Sequence, residues 1–302
     1  MQVLNSRADG YVFANLFAVV VISITKHFMP PYINGVLIFS EFIIIPLVMG
    51  IISSWFWRDL NLSSRQLLMS GFYNTLLAIA FSAMFLGEGV ICLIIVSPLI
   101  WVCISAGTFA GRYMFKRDNN NLNFSILSLL LFIYMMDVRS THDYQNEVSD
   151  AMVINAPVSE VWSHVVAFKR INKENNFWLF KVGMPSPVQS TVDGYYLGAK
   201  RKCIFSNGYT FDEKISTFEI NRKLTFDVTH QPRDPEIMGH IDILRGQFLL
   251  KDNGDNTTTL IGNSWYKLYV FPVWYYDIWA KSITRNVHLR VMEHIKELSE
   301  AK

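Results

Sequence analysis

The rhythm of hydrophobic and polar positions changes once along the chain, near residue 137. Before that point five apolar stretches follow one another, Tyr11 to Thr25, Ile33 to Trp57, Leu67 to Leu86, Gly89 to Phe115 and Leu122 to Met136, separated by short polar breaks. None shows the polar stripe at helical spacing that a water-soluble bundle carries; each is apolar all round. Crossing ~30 Å of hydrocarbon takes about 20 residues in a helix. The second, third and fourth stretches have that length, and the first and fifth reach it by borrowing flanking residues. The pattern predicts an all-α transmembrane bundle of about five spans over residues 1–137.

A polar segment, "VRSTHDYQNEVSD", covers 138–150 and reads as a linker. Beyond it the period shortens. Met152 to Ala156 is a short strand, and Pro157 then suits the first turn of a helix, where its missing N–H is unpaired anyway. Ser159 and Glu160 place oxygen and negative charge at that helix N-terminus. Val161, Val165 and Phe168 recur at four and three, beside Trp162 and Val166, which predicts one buried face. Alternating runs follow in "YYLGAKRKCIFS", "YTFDEKISTFEI" and "RKLTFDVTH", the first two joined by the hairpin signal Asn207-Gly208. Two more strands flank an Asn-Gly-Asp-Asn turn, and Trp274 to Lys302 is one long helix with Ile283, Val287, Val291, Ile295 and Leu298 along one side. An α+β domain is therefore expected over residues 151–302.

Charge sharpens this division. The 302 residues carry 27 Lys and Arg against 25 Asp and Glu, and only 7 of the 27 basic residues precede position 138. A net charge of +2 with no basic stripe excludes nucleic acid as a partner. With five spans, Arg7, Arg58, Arg65, Arg112, Lys116 and Arg117 fall on one side of the membrane, against Lys26 and Arg139 on the other. Basic loops stay cytoplasmic, so the N-terminus is expected in the cytoplasm and the C-terminal domain outside, in an inner membrane of bacterial type. "SITKHFMPP" after the first stretch lacks the small residues of a signal-peptide cleavage site. Cys92 and Cys103 sit in apolar runs and Cys203 is isolated, so neither a disulfide framework nor a metal quartet is expected. Glu41, inside the second span, is an intramembrane polar residue, read either as functional or as a neutral carboxyl bonded to a neighbour such as Asn74. Pro46 and Pro98 are expected to kink their spans.

The ordered set "INAPVSEVW", "GAKRKCIFSNGYTFDEKI", "TTTLIGNSWY" and "HLRVMEHIKELSE" resembles the START/polyketide-cyclase superfamily over about residues 150–300. With preceding spans, the arrangement looks like bacterial membrane-anchored members. The resemblance implies a helix-grip fold, a curved antiparallel sheet around the long last helix, with a cavity for a lipid or other hydrophobic small molecule. Strand phase puts Cys203, Phe205, Phe211 and Phe226 on one face, with Trp265 on a later strand and His288 in the last helix. Arg201, Glu213 and His230 share the phases of these aromatics, and a charge facing inward must be paired or stay near water. Either they form a structural cluster, or they orient a ligand's polar head; a bulge would turn them outward.

Catalytic signatures are missing: there is no G-x-S-x-G elbow, H-E-x-x-H pair, phosphate loop or dinucleotide fingerprint, and no cofactor is expected. The expected function is a membrane-anchored module binding a hydrophobic molecule or lipid. The alternatives are a cyclase- or hydrolase-like enzyme using His230 with Glu213, and a partner-binding or sensing domain presenting the "WSHVVAF" helix and the "DPEIMGH" loop.

Overall fold

In the computed structural model the described residues are 6–28, 40–86, 89–115, 128, 131, 132, 135, 144–174, 176–232, 240–270 and 272–301. They divide into two compact units, residues 1–142 with 235–240 and 269–272, and residues 143–234 with 241–268 and 273–302.

The first unit is helical: α1 (Arg7–Phe28), α2 (Ile45–Trp57), α3 (Ser64–Phe81) and α4 (Val90–Met114), with π-helical turns at Ser40–Ile44 and Ser82–Leu86. A capping box between Ser63 and Gln66 starts α3. Three stretches, Arg7–Ile24, Ser64–Phe85 and Val90–Met114, are long and apolar enough to cross a membrane, and the apolar helix Phe42–Trp57 is shorter. Three of the expected five are thus found among the described residues; the second stretch, Ile33–Trp57, is described only from residue 40 onward, and most of the fifth, 122–136, lies outside the described residues. Pro46 lies where the π-helical turn Ser40–Ile44 passes directly into α2, and Pro98 lies inside α4.

Contacts run Gly10 to Trp57 between α1 and α2, and Gly71 to Ser105 between α3 and α4, while α2 and α4 meet through Leu47 with Gly107 and Ser54 with Gly111. Neighbours in the chain are antiparallel, so Arg7, Arg58, Arg65 and Arg112 gather at one end. A Cβ on Gly50 would collide with the Ile104 carbonyl oxygen, and one on Gly107 with that of Leu47. Small residues spaced by four, Gly107 and Gly111 facing Gly50 and Ser54, thus let two backbones touch. The expectation of helices apolar all round needs correction too. Asn15, Ser53 and Asn74 are buried, whereas Val12, Leu16, Tyr73 and Val102 are each more than half exposed.

The second unit is a seven-stranded antiparallel sheet ordered β1-β7-β6-β5-β4-β3-β2, in which β1 is Tyr144–Ile154, β2 Pro187–Val192, β3 Lys200–Phe205, β4 Thr210–Glu219, β5 Lys223–His230, β6 Ile241–Asp252 and β7 Thr258–Leu268. Two short helices, α5 (Val158–Val165) and α6 (Trp178–Lys181), precede β2, and α7 (Val273–Glu300) lies against the inner face. This is the helix-grip arrangement. Gly208 and Gly254 take positive φ in the two expected turns, at +85° and +80°. A core of Ile154, Val161, Val165, Phe168, Ile215, Leu224, Phe248, Leu260, Met292 and Ile295 fills the space between sheet, α5 and the second half of α7.

Three expectations change here. The segment read as a linker is mostly strand, because β1 pairs with β7 from Tyr144 onward. Its inner positions Asn146 and Asp150 are polar because they bond to α7, which hid the alternation. The buried side of α7 includes the expected Val291 and Ile295, but in the first half of the helix it runs through Ala280, Thr284 and His288, one position round from the side expected, leaving Ile283, Val287 and Leu298 half-buried. The "WSHVVAF" helix is no exposed contact surface either, since Val161, Trp162, Val165 and Val166 are core. Residues 234–239 of the "DPEIMGH" loop lie outside the described residues.

Candidate functional site on the concave face

Register fixes which side chains share the inner face. Arg201 pairs with Glu213 and Cys203 with Phe211 across β3 and β4, while Ile215 pairs with Phe226 and Glu213 with Val228 across β4 and β5. Antiparallel partners point the same way, so Arg201, Cys203, Phe205, Phe211, Glu213 and Phe226 are brought together as expected. Phe205 and Phe211 pack with ring centroids 4.7 Å apart.

Arg201 and Glu213 are 2% and 6% exposed and form a direct ion pair. Arg201 Nε also donates to the Val166 carbonyl at 3.0 Å, and the guanidinium lies 4.4 Å from the centre of the Phe226 ring. Burial is thus offset by a carboxylate, a carbonyl and an aromatic face, as a charge taken from water requires. Desolvation pulls the Glu213 carboxyl up, and the guanidinium opposes it. Burial, reinforced by the Glu213 charge, pushes the Cys203 thiol up to about 12. Cys203 is therefore a neutral thiol at physiological pH and a poor nucleophile.

The inner face is not uniformly closed. Cys203, Phe205, Val228, Ile241 and Ile243 stay half-buried, at the end where Tyr266, the partner of Ile243, donates a 2.6 Å hydrogen bond to Asp277 near the start of α7. Burial opposes ionisation of Asp277, but Tyr266, Asn146 and Lys281 together hold its carboxyl below the ordinary value.

The other expected residues lie elsewhere. His230 pairs with Asp212 and is exposed. A register shift between Asp212 and Glu213 puts one extra residue, Thr229, on β5 and turns His230 to the outer face. That bulge separates His230 from Glu213, so the acid–base pair of the enzyme alternative is not assembled. Trp265 pairs with Arg245 and Glu147 on the outer face, because Gly262, Ser264 and Tyr266 take the inner positions of β7. The side chain of Glu41 lies outside the described residues. Asn74, suggested as its neighbour, accepts from Asn15 at 2.7 Å and donates to Ser53 at 3.0 Å.

His288 is buried but belongs to a second polar cluster. Its Nε2 lies 2.7 Å from Asp150 Oδ2 and its Nδ1 3.3 Å from Ser264 Oγ, while Arg285 holds the other Asp150 oxygen at 2.8 Å. Because a carboxylate only accepts, Nε2 carries the proton and Nδ1 accepts from the serine. Desolvation draws the His288 pKa below its ordinary value against the pull of Asp150. The order Ser–His–Asp invites a nucleophilic reading. However, neither Ser264 nor His288 lines the open groove of about 580 Å³ beside Asp150, Lys281 and Arg285. The array works as a staple joining β1, β7 and α7. Asp150 lay in the presumed linker, and no sequence signal links it to a histidine 138 positions later.

No family model matches the chain, and no curated protein does. Among solved structures, truncated norcoclaurine synthase from Thalictrum flavum aligns at 11% identity over 54% of this chain and 99% of its own, with a TM-score of 0.38. The protein XoxI from Bacillus cereus aligns at 14% identity over 51% of this chain and 94% of its own, with a TM-score of 0.34.

Proposed function

We propose that the chain is a membrane-anchored binding module whose C-terminal unit holds a hydrophobic small molecule or lipid against the concave face of its sheet. The observation that carries this reading is the contrast within that face. One part is packed solid, while Cys203, Phe205, Val228, Ile241 and Ile243 stay half-buried next to a fully buried ion pair. Apolar surface left in water forgoes about 25 cal/mol per Å², and a guest seated there recovers it. Arg201 and Glu213 set a charged pair beside that apolar surface, where it would orient a head group.

The helical unit supplies the anchor. Outward-facing Val12, Leu16, Tyr73 and Val102 with inward-facing Asn15, Ser53 and Asn74 suit lipid and not water, and glycine-mediated approach of α2 to α4 suits packing where no hydrophobic drive exists. The arginines gathered at one end favour a cytoplasmic N-terminus, with the C-terminal unit outside a bacterial inner membrane if 122–136 crosses.

The test is native mass spectrometry of the full chain in lipid nanodiscs, titrated with a fatty acid, an isoprenoid alcohol and an aromatic ketone. Saturable binding of at least one is expected, lost in Phe205→Glu with the melting of the C-terminal unit unchanged. Failure of all three to bind, or binding indifferent to Phe205→Glu, would remove the concave face as the site.

A further inference from the structure

The helical unit contains a second cavity, of about 60 Å³, bounded by α1, α2, α3 and α4 through Asn15, Ala18, Met49, Ala78 and Val96. Both π-helical turns reach it, Ser40–Ile44 through Phe42 and Ser82–Leu86 through Ser82. Such departures from α-helical geometry concentrate at functional sites. The walls are otherwise alkyl and aromatic, apart from Asn15, Ser82 and Cys92.

Asn15 is 2% exposed, and its hydrogen bonds run in one enforced direction. Its amide nitrogen donates to the Tyr11 carbonyl at 2.8 Å and to Asn74 Oδ1 at 2.7 Å. Asn74 donates in turn to Ser53 Oγ, whose hydroxyl donates to the Gly10 carbonyl at 3.2 Å. Main-chain carbonyls stand at both ends, so flipping the Asn15 amide would set oxygen against oxygen twice. Asn15 Oδ1 is left as a buried acceptor with no partner. A buried acceptor of this kind is costly to leave unmade, and because Asn15 lines the cavity a donor arriving there would satisfy it.

We infer that this cavity is a binding site for the hydroxyl-bearing end of an aliphatic alcohol, with Asn15 Oδ1 accepting from the hydroxyl and the apolar walls holding the first carbons. A ~150 Å³ apolar cavity takes a benzene ring, so a site of less than half that volume takes a chain end and excludes a ring. Water is the weaker occupant, because it needs two to four polar partners and the lining offers few. The inference is independent of the concave face of the C-terminal unit.

The full chain in nanodiscs is titrated with 1-octanol and with its isomer 1-methoxyheptane, which has the same atoms but no donor. The expected result is a saturable rise in melting temperature with octanol, at an apparent affinity at least tenfold above that of the ether. Ala18→Phe or Ala78→Leu, each filling the cavity and leaving the Asn15 bonds in place, abolishes the octanol response. Equal responses to alcohol and ether overturn the inference, as does an octanol response that survives whichever of the two variants folds. Magnetisation transfer from water to the Asn15 side chain that persists at saturating octanol identifies water as the occupant and overturns it as well.

Discussion

Arg201 and Glu213 hold each other in place, and their energetics follow from burial. Removing one partner strands the other charge in a low-dielectric core. Arg201→Met or Glu213→Gln should therefore destabilise the C-terminal unit by about 3–5 kcal/mol, whereas Arg201→Met with Glu213→Leu should regain most of the loss. Denaturant unfolding of the three variants measures this. His288 makes a different prediction. Burial lowers its pKa in the folded state, so the unfolded chain binds more protons and stability rises with pH. The contribution is present above about pH 6.5, the unfolded value, and is lost as pH falls through the depressed folded value. His294, buried against the Lys169 carbonyl, shifts the same way. Melting followed from pH 7 to pH 5 should show the loss, and His288→Gln should flatten part of the slope. Neither pair was equally visible beforehand: strand phase aligned Arg201 with Glu213, but nothing local joins His288 to Asp150.

Among the elements, α2 and α4 depend on absent side chains. Gly107→Leu should separate the two helices and destabilise the helical unit by about 1–3 kcal/mol, read as a lower melting temperature in nanodiscs. The spacing Gly107-xxx-Gly111 is present in the sequence as a mark of such an approach, whereas its partner Gly50 is identified only by the packing. In the sheet, β3 and β4 were legible from alternation and the Asn207-Gly208 turn. β2 was not, because "PVQSTV" is an edge strand opening on a proline, with few apolar positions to mark a phase. The polar inner face of β1 misled for the complementary reason: side chains that bond to α7 look like side chains that face water.

On the scale of the whole molecule, the two units have different organisations. The helical unit turns large apolar side chains such as Val12, Leu16, Tyr73 and Val102 outward while burying Asn15, Ser53 and Asn74 among its packed apolar residues, whereas the C-terminal unit gathers its apolar side chains around Ile154, Leu224, Leu260 and Ile295. That difference predicts different solvents for the two parts. Reporters fused before Met1 and after Lys302 should fall on opposite sides of the membrane, the first cytoplasmic. Two cytoplasmic reporters would mean that 122–136 does not cross.

Composition and period determined the change from apolar helices to an alternating α+β unit, the last long helix and the two hairpin turns. Each is a local consequence of where apolar side chains recur and where the backbone must turn. The tertiary structure decided which inward positions are filled and which stay half-open, where the β5 bulge turns His230 away, and how Asn15, Asn74 and Ser53 find each other. Those outcomes depend on register and on partners far apart in the chain, and no local rhythm of residues encodes a distance between them.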